Sequence, residues 1–247
     1  MEIALRTDIG QKRSDNQDFI NQFYNKSGVP LIILADGMGG HRAGNIASEL
    51  TVTDLGKNWE ETEFSDLTQI RDWMIDGIEK ENKKIHELGK EESFRGMGTT
   101  IEAVSVVDNA VLYAHLGDSR IGLIRDGHYQ QLTTDHSLVN ELLRAGQITE
   151  EEAAVHPQKN IITQSIGQQS PIELDLGVQQ LEPGDFILMN SDGLTNMISN
   201  DTIVNVLLAD DGGVKEKAEE LVAQANKAGG LDNITVGLLH VEGEALL

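Results

Sequence analysis

Short apolar runs that lead into an aspartate restrict how this chain can fold more than any other feature of its sequence. Residues 31–35 are all apolar, which is typical of a buried strand, and they are followed directly by Asp36 and a glycine. One such Asp-Gly pair would indicate only a hairpin turn. Apolar runs also lead into Asp118 and Asp192, and a last run begins after Asp232. Because strand exits and entries meet at one edge of an antiparallel sheet, this repetition predicts that the four carboxylates lie together.

The remaining hydrophobic patterns predict a mixed α+β chain. Strand patterns cover residues 2–7, 19–24, 101–107, 111–116, 121–125, 128–132, 172–178, 186–190 and 234–241. Helical spacing predicts helices after residue 44, at about 66–88, 201–208 and 214–228, and short ones at 138–143 and 149–154. The mostly polar segment 135–164 is either a flap that faces the substrate or a surface insertion. No stretch resembles a linker, so residues 1–247 are expected to form one domain with this flap.

Composition excludes several classes of function. The 247 residues include 41 acidic and 19 basic side chains, and the net charge of -22 disfavours nucleic acid as a partner. The chain has no cysteine, which excludes disulfides, a thiolate zinc site and a cysteine nucleophile. The N-terminus lacks a signal-peptide pattern and no apolar run approaches the ~20 residues that span a bilayer. We therefore expect no membrane insertion and a cytoplasmic protein, or a soluble domain of a larger one.

Four converging carboxylates repel one another unless cations neutralise them. A set of oxygen ligands without cysteine or an obvious group of histidines suits Mg²⁺ or Mn²⁺ better than zinc. Arg13 lies in a polar loop before the second strand, which would bring it near Asp36, although a solvated loop charge is the alternative for a lone arginine. His115, in the middle of a strand, is expected to be a hydrogen-bonded sheet histidine and not a ligand.

Six short motifs, taken in their order along the chain, resemble those of a known family. They are Arg13-Ser-Asp-Asn-Gln-Asp18, Asp36-Gly-Met-Gly-Gly40, Gly98-Thr-Thr100, Gly117-Asp-Ser-Arg120, Ser191-Asp-Gly193 and Asp232-Asn233. The set is similar to that of the bacterial metal-dependent (PPM, or type 2C) serine/threonine protein phosphatases. The resemblance extends from the first strand to the last. It implies an αββα four-layer sandwich, with two antiparallel sheets packed face to face, helices on both outer sides and a metal site at one end.

The resemblance also implies a metal-binding role for the matching residues. Asp36 would bridge two inner metal ions, and Gly37 would offer its carbonyl oxygen to one of them. Asp192 and Asp232 would hold the other ion. Asp118, together with Asp192, would bind a third ion more weakly.

Two further roles follow from the same resemblance, and two residues depart from it. Arg13 would hold the substrate phosphate, because a guanidinium fork suits phosphate oxygens. Asp18 would order water at the metal site without binding an ion itself. Gln17 stands where some members have a glutamate ligand. Met38 stands where those members have a histidine proposed as the general acid, which leaves His41 or a metal-bound water as the candidate acid.

The activity implied is hydrolysis of phosphoserine and phosphothreonine in proteins, in one step, by a water that Mn²⁺ or Mg²⁺ activates. Such an enzyme would oppose a bacterial serine/threonine kinase. Two alternatives stay open: a metal-dependent phosphatase of a small metabolite, and a catalytically silent module that binds phosphoproteins. Loss of a metal carboxylate would favour the silent module, and all four carboxylates are present.

Overall fold

The computed structural model describes residues 1–39 and 43–242, which contain eleven β-strands, seven α-helices and a short 3₁₀ turn at Glu92–Phe94. The strands are β1 (Glu2–Asp8), β2 (Asp18–Tyr24), β3 (Pro30–Met38), β4 (Gly98–Thr99), β5 (Ile101–Val107), β6 (Ala110–Leu116), β7 (Arg120–Arg125), β8 (His128–Gln131), β9 (Asp175–Gln180), β10 (Phe186–Asn190) and β11 (Ile234–His240). The helices are α1 (Ala43–Glu60), α2 (Leu67–Leu88), α3 (Leu138–Arg144), α4 (Glu150–Ala154), α5 (Asp192–Thr195), α6 (Asn200–Leu208) and α7 (Val214–Lys227).

The strands form two antiparallel sheets. One sheet has five strands in the order β1-β11-β10-β7-β8. The other has six, in the order β2-β3-β5-β6-β9, with β4 paired to β3. Consecutive strands such as β5 and β6 are joined by tight turns, which is how an antiparallel neighbour is reached with few residues.

Side-chain alternation along the central strands divides the interior into layers. In β3, Leu31 and Ile33 pack in the cluster that includes the first two helices, whereas Ile32 and Leu34 pack in the cluster between the sheets. The continuous apolar run 31–35 is therefore a strand that is buried on both faces. This double burial explains why the run shows no polar alternation.

Helices cover the outer face of each sheet. Helices α1 and α2 cover the six-stranded sheet, where Trp59 and Met74 are fully buried. Asp66 caps α2 by accepting hydrogen bonds from the backbone N–H groups of Thr68 and Gln69, both at 3.0 Å. Helices α5, α6 and α7 cover the five-stranded sheet. The predicted α+β class and the αββα sandwich are confirmed. In the described part of the chain, no helix is both long and apolar enough to cross a membrane.

One prediction about the strand ends was wrong. Strand β3 does not end before Asp36 but continues to Met38, because the short strand β4 pairs with its last residues. Asp36 also lies in the six-stranded sheet, whereas Asp192 and Asp232 adjoin β10 and β11 of the five-stranded sheet. The carboxylates therefore lie at one end of a sandwich and not at one edge of a single sheet.

The segment 135–164 leaves the sheets and returns to the same place. Its interior contains α3 and α4, and each begins at a side-chain cap, Ser137 and Thr149 respectively. The two ends of the segment pair with each other: the N–H of Leu138 donates to the carbonyl of Ile161, and that of Thr163 to the carbonyl of His136. The segment 135–164 is thus a loop whose two ends are hydrogen-bonded to each other.

Candidate active site

The backbone of Asp36 is held by two threonines of the Gly98-Thr-Thr100 motif. Its N–H donates to the Thr100 Oγ1 at 2.9 Å. Its carbonyl accepts from the Thr100 N–H and from the Thr99 hydroxyl, both at 2.9 Å. Both threonines are fully buried. The motif thus fixes Asp36 near the end of β3, at the end of the sandwich.

Gly37 lies against Gly44 at the start of α1. A Cβ at position 37 would come within 2.1 Å of the Gly44 carbonyl oxygen, and one at position 44 would come within 2.8 Å of the Gly37 carbonyl oxygen. Neither position has room for a side chain, so the strand and the helix meet backbone to backbone. The sequence pattern indicated the glycine in the strand but gave no sign of its partner in the helix.

Asp192 and Asp232 are brought together by backbone contact between their loops. The Ser191 N–H donates to the Thr235 carbonyl at 3.1 Å, and the Thr235 N–H donates to the Ser191 Oγ at 3.0 Å. A Cβ at Gly193 would lie only 1.9 Å from the Asn233 carbonyl oxygen. The glycine after Asp192 is therefore required for the two loops to approach.

Asn233 fastens the loop that carries Arg13 to the same place. Its side-chain amide donates to the carbonyls of Ile9 and Asp15, at 3.0 and 2.9 Å, and its Oδ1 accepts from the Gln17 N–H at 2.9 Å. Arg13 is exposed, and its Nη2 donates to the Asp232 Oδ2 at 2.6 Å. Arg13 thus lies beside a predicted metal ligand, where the sequence placed it only near Asp36.

Asp18 joins the two sheets under the site. It lies opposite Asp36 in the β2–β3 register and is 5% exposed. Its Oδ2 accepts a hydrogen bond from the Ser191 hydroxyl at 2.7 Å. Its Oδ1 is buried and has no hydrogen-bond partner among the residues that the structure describes. A buried carboxylate oxygen in this state is costly unless a cation or an ordered water satisfies it.

Asp118 lies across a cavity from the segment 135–164. The cavity has a volume of about 320 Å³ and lies beside the carboxylates. Its walls include Asp118, Arg120, Asp135, Asn140, Lys159 and Asp192. The sequence did not decide whether the segment 135–164 is a flap or a surface insertion. In the structure the segment forms one wall of this cavity, and the opposite wall carries two predicted metal ligands, Asp118 and Asp192.

The electrostatics of the group are those of carboxylates crowded at low dielectric. Burial, and then the charges of the four other aspartates, raise the pKa of Asp36 well above its usual range. Burial and the charge of Asp192 raise the pKa of Asp118 to about 8. Burial likewise raises the pKa of Asp18 to about 7 and that of Asp192 to about 6, the latter against the charge of Arg13. A divalent cation would relieve this repulsion.

The donor set fits Mn²⁺ or Mg²⁺ in its chemistry, since it consists of carboxylate and carbonyl oxygens with one buried oxygen unsatisfied. Within residues 1–39 and 43–242, however, no three Asp, Glu or His side chains are arranged so that they could hold an ion. Two carboxylates face protein donors instead, Asp232 toward Arg13 and Asp192 toward the Asn196 amide at 2.9 Å. An ion at these carboxylates would share them with the two donors or displace the donors.

Other predicted residues have simpler surroundings. His115 is fully buried; its Nε2 lies 3.0 Å from the Thr134 carbonyl and its Nδ1 3.1 Å from the Glu102 Oε1. It is the hydrogen-bonded sheet histidine that was expected. Met38 is half-buried at the end of β3. The candidate acid His41 lies outside the described residues.

Comparison with known proteins identifies the family of this chain. A family model described as protein phosphatase 2C matches residues 10–230. A protein phosphatase 2C-type protein of Streptococcus pyogenes is 66% identical over 244 residues, which are 99% of each chain. Protein phosphatase PhpP of Streptococcus pneumoniae serotype 2 is 59% identical over the same share of both chains.

Solved structures give the same result. The serine/threonine phosphatase of S. agalactiae is 66% identical, covers 98% of this chain and 99% of its own, and superposes with a TM-score of 0.96. Serine/threonine phosphatase Stp1 of Staphylococcus aureus is 36% identical, covers 98% and 95%, and has a TM-score of 0.93. The chain therefore belongs to the protein phosphatase 2C family, in the bacterial branch of metal-dependent serine/threonine protein phosphatases that its motifs resemble.

Proposed function

We propose that this chain hydrolyses phosphoserine and phosphothreonine in proteins at the cluster of five aspartates described above. Asp36 would serve both inner Mn²⁺ or Mg²⁺ ions, and the Gly37 carbonyl would hold one of them. Asp192 and Asp232 would hold the other inner ion, and Asp118 with Asp192 would hold a third. The ions would supply positive charge for the phosphoryl oxygens and lower the pKa of the attacking water.

One observation carries this proposal: five aspartates from both sheets are gathered at one end of the sandwich, where burial and then the charges of the other four raise the pKa of Asp36 well above its usual range. Like charges are not gathered at the end of a sandwich for stability, because their repulsion opposes folding. Asp18, whose second oxygen has no protein partner, fits a role in ordering water beside the ions. The family's metal dependence supports the same reading.

Arg13 is proposed to hold the substrate phosphate. It is half exposed at the rim of the site, and its guanidinium already forms one charged hydrogen bond there, with Asp232. If Asp232 turns to an ion, the guanidinium is released toward the incoming phosphate, for which its fork of donors is suited. His41 stays a candidate for the acid that protonates the leaving alkoxide.

The segment 135–164 is proposed to act as a flap over the reaction centre. It contributes Asn140, Leu143, Glu150 and Lys159 to the cavity that Asp118 and Asp192 line from below. A polypeptide chain entering the site would lie against these residues. This placement favours a protein substrate. We regard residues 1–247 as one domain that includes the flap.

The decisive experiment is hydrolysis of a phosphothreonine peptide with Mn²⁺ added, with and without a chelator. We expect activity that the chelator removes, and none in Asp36→Asn or Asp192→Ala, while circular dichroism of both variants stays that of the parent. Near-normal turnover in either variant would contradict the assignment of these ligands.

A parallel assay separates the two alternatives. A small phosphorylated sugar or serine phosphate, hydrolysed with a higher kcat/KM than the peptide, would favour a metabolite phosphatase. Tight binding of the peptide without turnover in Mn²⁺ or Mg²⁺ would favour the silent module. We propose further that the substrates are supplied by a serine/threonine kinase, and that both enzymes act in the cytoplasm, where the kinase has access to ATP.

A further inference from the structure

The turn that carries Asp118 is held on both sides by two consecutive residues at the base of the flap. Before Asp118, the Gly117 N–H donates to the His136 Nδ1 at 3.1 Å, and the Gly117 carbonyl accepts from the His136 N–H at 2.6 Å. After Asp118, the Arg120 guanidinium donates to both carboxylate oxygens of Asp135, with the shortest distance 2.6 Å. Asp118 thus lies between two clamped residues.

Only one tautomer of the neutral His136 imidazole can accept the hydrogen bond from the Gly117 N–H. Because Nδ1 accepts from an N–H, the ring proton must be on Nε2, which lies 3.2 Å from the Asp175 Oδ2 and donates to it. The ring also packs against that of His115, with centroids 4.7 Å apart. His115 cannot move away, since both of its nitrogens are hydrogen-bonded in the buried sheet. The hydrogen bond to Asp175 and the packing against His115 therefore hold the His136 Nδ1 in position to accept from the Gly117 N–H.

The same residue lies where the two ends of the flap meet. The His136 carbonyl accepts from the Thr163 N–H at 2.8 Å, and the next residue pairs with Ile162. A single peptide segment, 135–136, thus contacts the Asp118 turn on one side and the returning end of the flap on the other. Gly117 has φ +131, so its own backbone preferences do little to hold the turn in place.

We propose that His136 is a positioning residue, which holds the Gly117–Arg120 turn so that Asp118 faces its ion and which couples the flap to that ion. The proposal rests on the metal-binding role proposed for Asp118. His136 touches no reacting atom: its Nδ1 and backbone N–H contact Gly117, and its carbonyl contacts the returning end of the flap, while Asp135 contacts Arg120. No other residue of the described chain donates to or accepts from the Gly117 backbone through its side chain.

The test uses variants that separate the acceptor from the ring. His136→Phe keeps a ring against His115 but removes the acceptor for the Gly117 N–H. His136→Asn keeps an acceptor oxygen close to the position of Nδ1. His128→Phe is the matched control, because His128 is exposed on β8 and its side chain, among the described residues, hydrogen-bonds only to the Asp126 carbonyl of its own turn. Asp135→Asn preserves shape and weakens the clamp on Arg120.

Two readouts are measured on the whole chain. The first is hydrogen exchange of the Gly117 amide by NMR in EDTA, which needs neither metal nor activity. The second is Mn²⁺ binding by calorimetry, followed by phosphopeptide turnover over the same Mn²⁺ range. In His136→Phe we expect Gly117 exchange to accelerate about tenfold or more, and the weakest Mn²⁺ class to bind about tenfold more weakly. His136→Asn should restore most of both, and His128→Phe should change neither.

Each other outcome overturns the proposal. Unchanged Gly117 exchange in His136→Phe means that the hydrogen bond does not hold the turn. Faster exchange with unchanged Mn²⁺ binding means that the turn does not position Asp118. Equal losses in His136→Phe and His136→Asn mean that the acceptor is irrelevant. If His136→Phe does not fold, His136→Leu decides, since it also lacks the acceptor, with the same expected changes in Gly117 exchange and Mn²⁺ affinity. Failure of the proposed function is a separate result, since it would appear as parent protein without Mn²⁺-dependent turnover.

Discussion

Gly193→Ala adds one methyl group between the two loops that carry Asp192 and Asp232. The new Cβ would lie 1.9 Å from the Asn233 carbonyl oxygen, whereas an ordinary contact needs at least 3.4 Å. The loops must therefore separate by about 1.5 Å, because the atom that blocks the methyl belongs to a backbone and not to the end of a flexible side chain. Ligand distances to Mn²⁺ or Mg²⁺ are close to 2.1 Å and have little tolerance, so a shared ion cannot follow both loops.

A displacement of about 1 Å at reacting groups is enough to cost about a hundredfold in rate. We expect kcat/KM for a phosphothreonine peptide to fall by about that factor or more, with weaker Mn²⁺ binding by calorimetry. Urea unfolding should show that the free energy of unfolding falls by about 1–3 kcal/mol, as for other overpacked sites. Gly77→Ala in α2 is the control, since its Cβ would meet side-chain atoms and no backbone, the Leu55 Cδ2 at 3.2 Å and the Trp73 Cε2 at 4.0 Å.

The reasoning fails if Gly193→Ala retains the parent's turnover and Mn²⁺ dependence. That result would mean that Asp192 and Asp232 do not share an ion, or that the loops adjust without moving their carboxylates. A large loss of stability with normal turnover in the folded fraction would lead to the same conclusion.

Two further changes test other parts of the chain. Arg13→Ala should raise KM for the phosphopeptide about tenfold and lower kcat less, because a phosphate contact is similar in ground and transition states, whereas Lys12→Ala should change neither constant. Burial raises the pKa of Glu81 from 4.5 to about 7, so the folded state binds that proton more tightly than the unfolded state. The stability that this protonation contributes is complete below about pH 4.5 and lost as the pH rises through 7. Glu81→Gln should therefore be more stable than the parent by about 1–2 kcal/mol at pH 8 and not at pH 4.5, as measured by urea unfolding; equal gains at both pH values would contradict this.

The local patterns were sufficient for most elements. Strands such as Ile101–Val107 and Phe186–Asn190 begin and end at the residues that the sequence pattern predicted. Helix α2 was expected from residue 66, which proves to be its cap. The spacing of apolar residues within a segment determines which of its faces can be buried. These elements could therefore be predicted from each segment alone.

Relations between segments were harder to predict. Nothing in residues 31–36 indicates that β4 would extend the strand past Asp36, because that pairing joins residues about 60 positions apart. Helix α5 has four residues, which is too few for any periodicity. The clamp by Asp135 and His136, and the Asn233 contacts with the Arg13 loop, depend on packing between distant loops. The motifs marked several of these residues without indicating what they contact.

The division of the carboxylates between two sheets links occupancy of the site to the integrity of the whole sandwich. Asp36 belongs to one sheet, and Asp192 and Asp232 adjoin strands of the other, so an ion that engages all three bridges the two sheets. A ligand of this kind binds only the stacked form, and at a hundred times its Kd it adds about 2.7 kcal/mol to the free energy of unfolding. If the chain holds its ions as proposed, the available divalent cation would set the free energy of unfolding as well as the rate of catalysis.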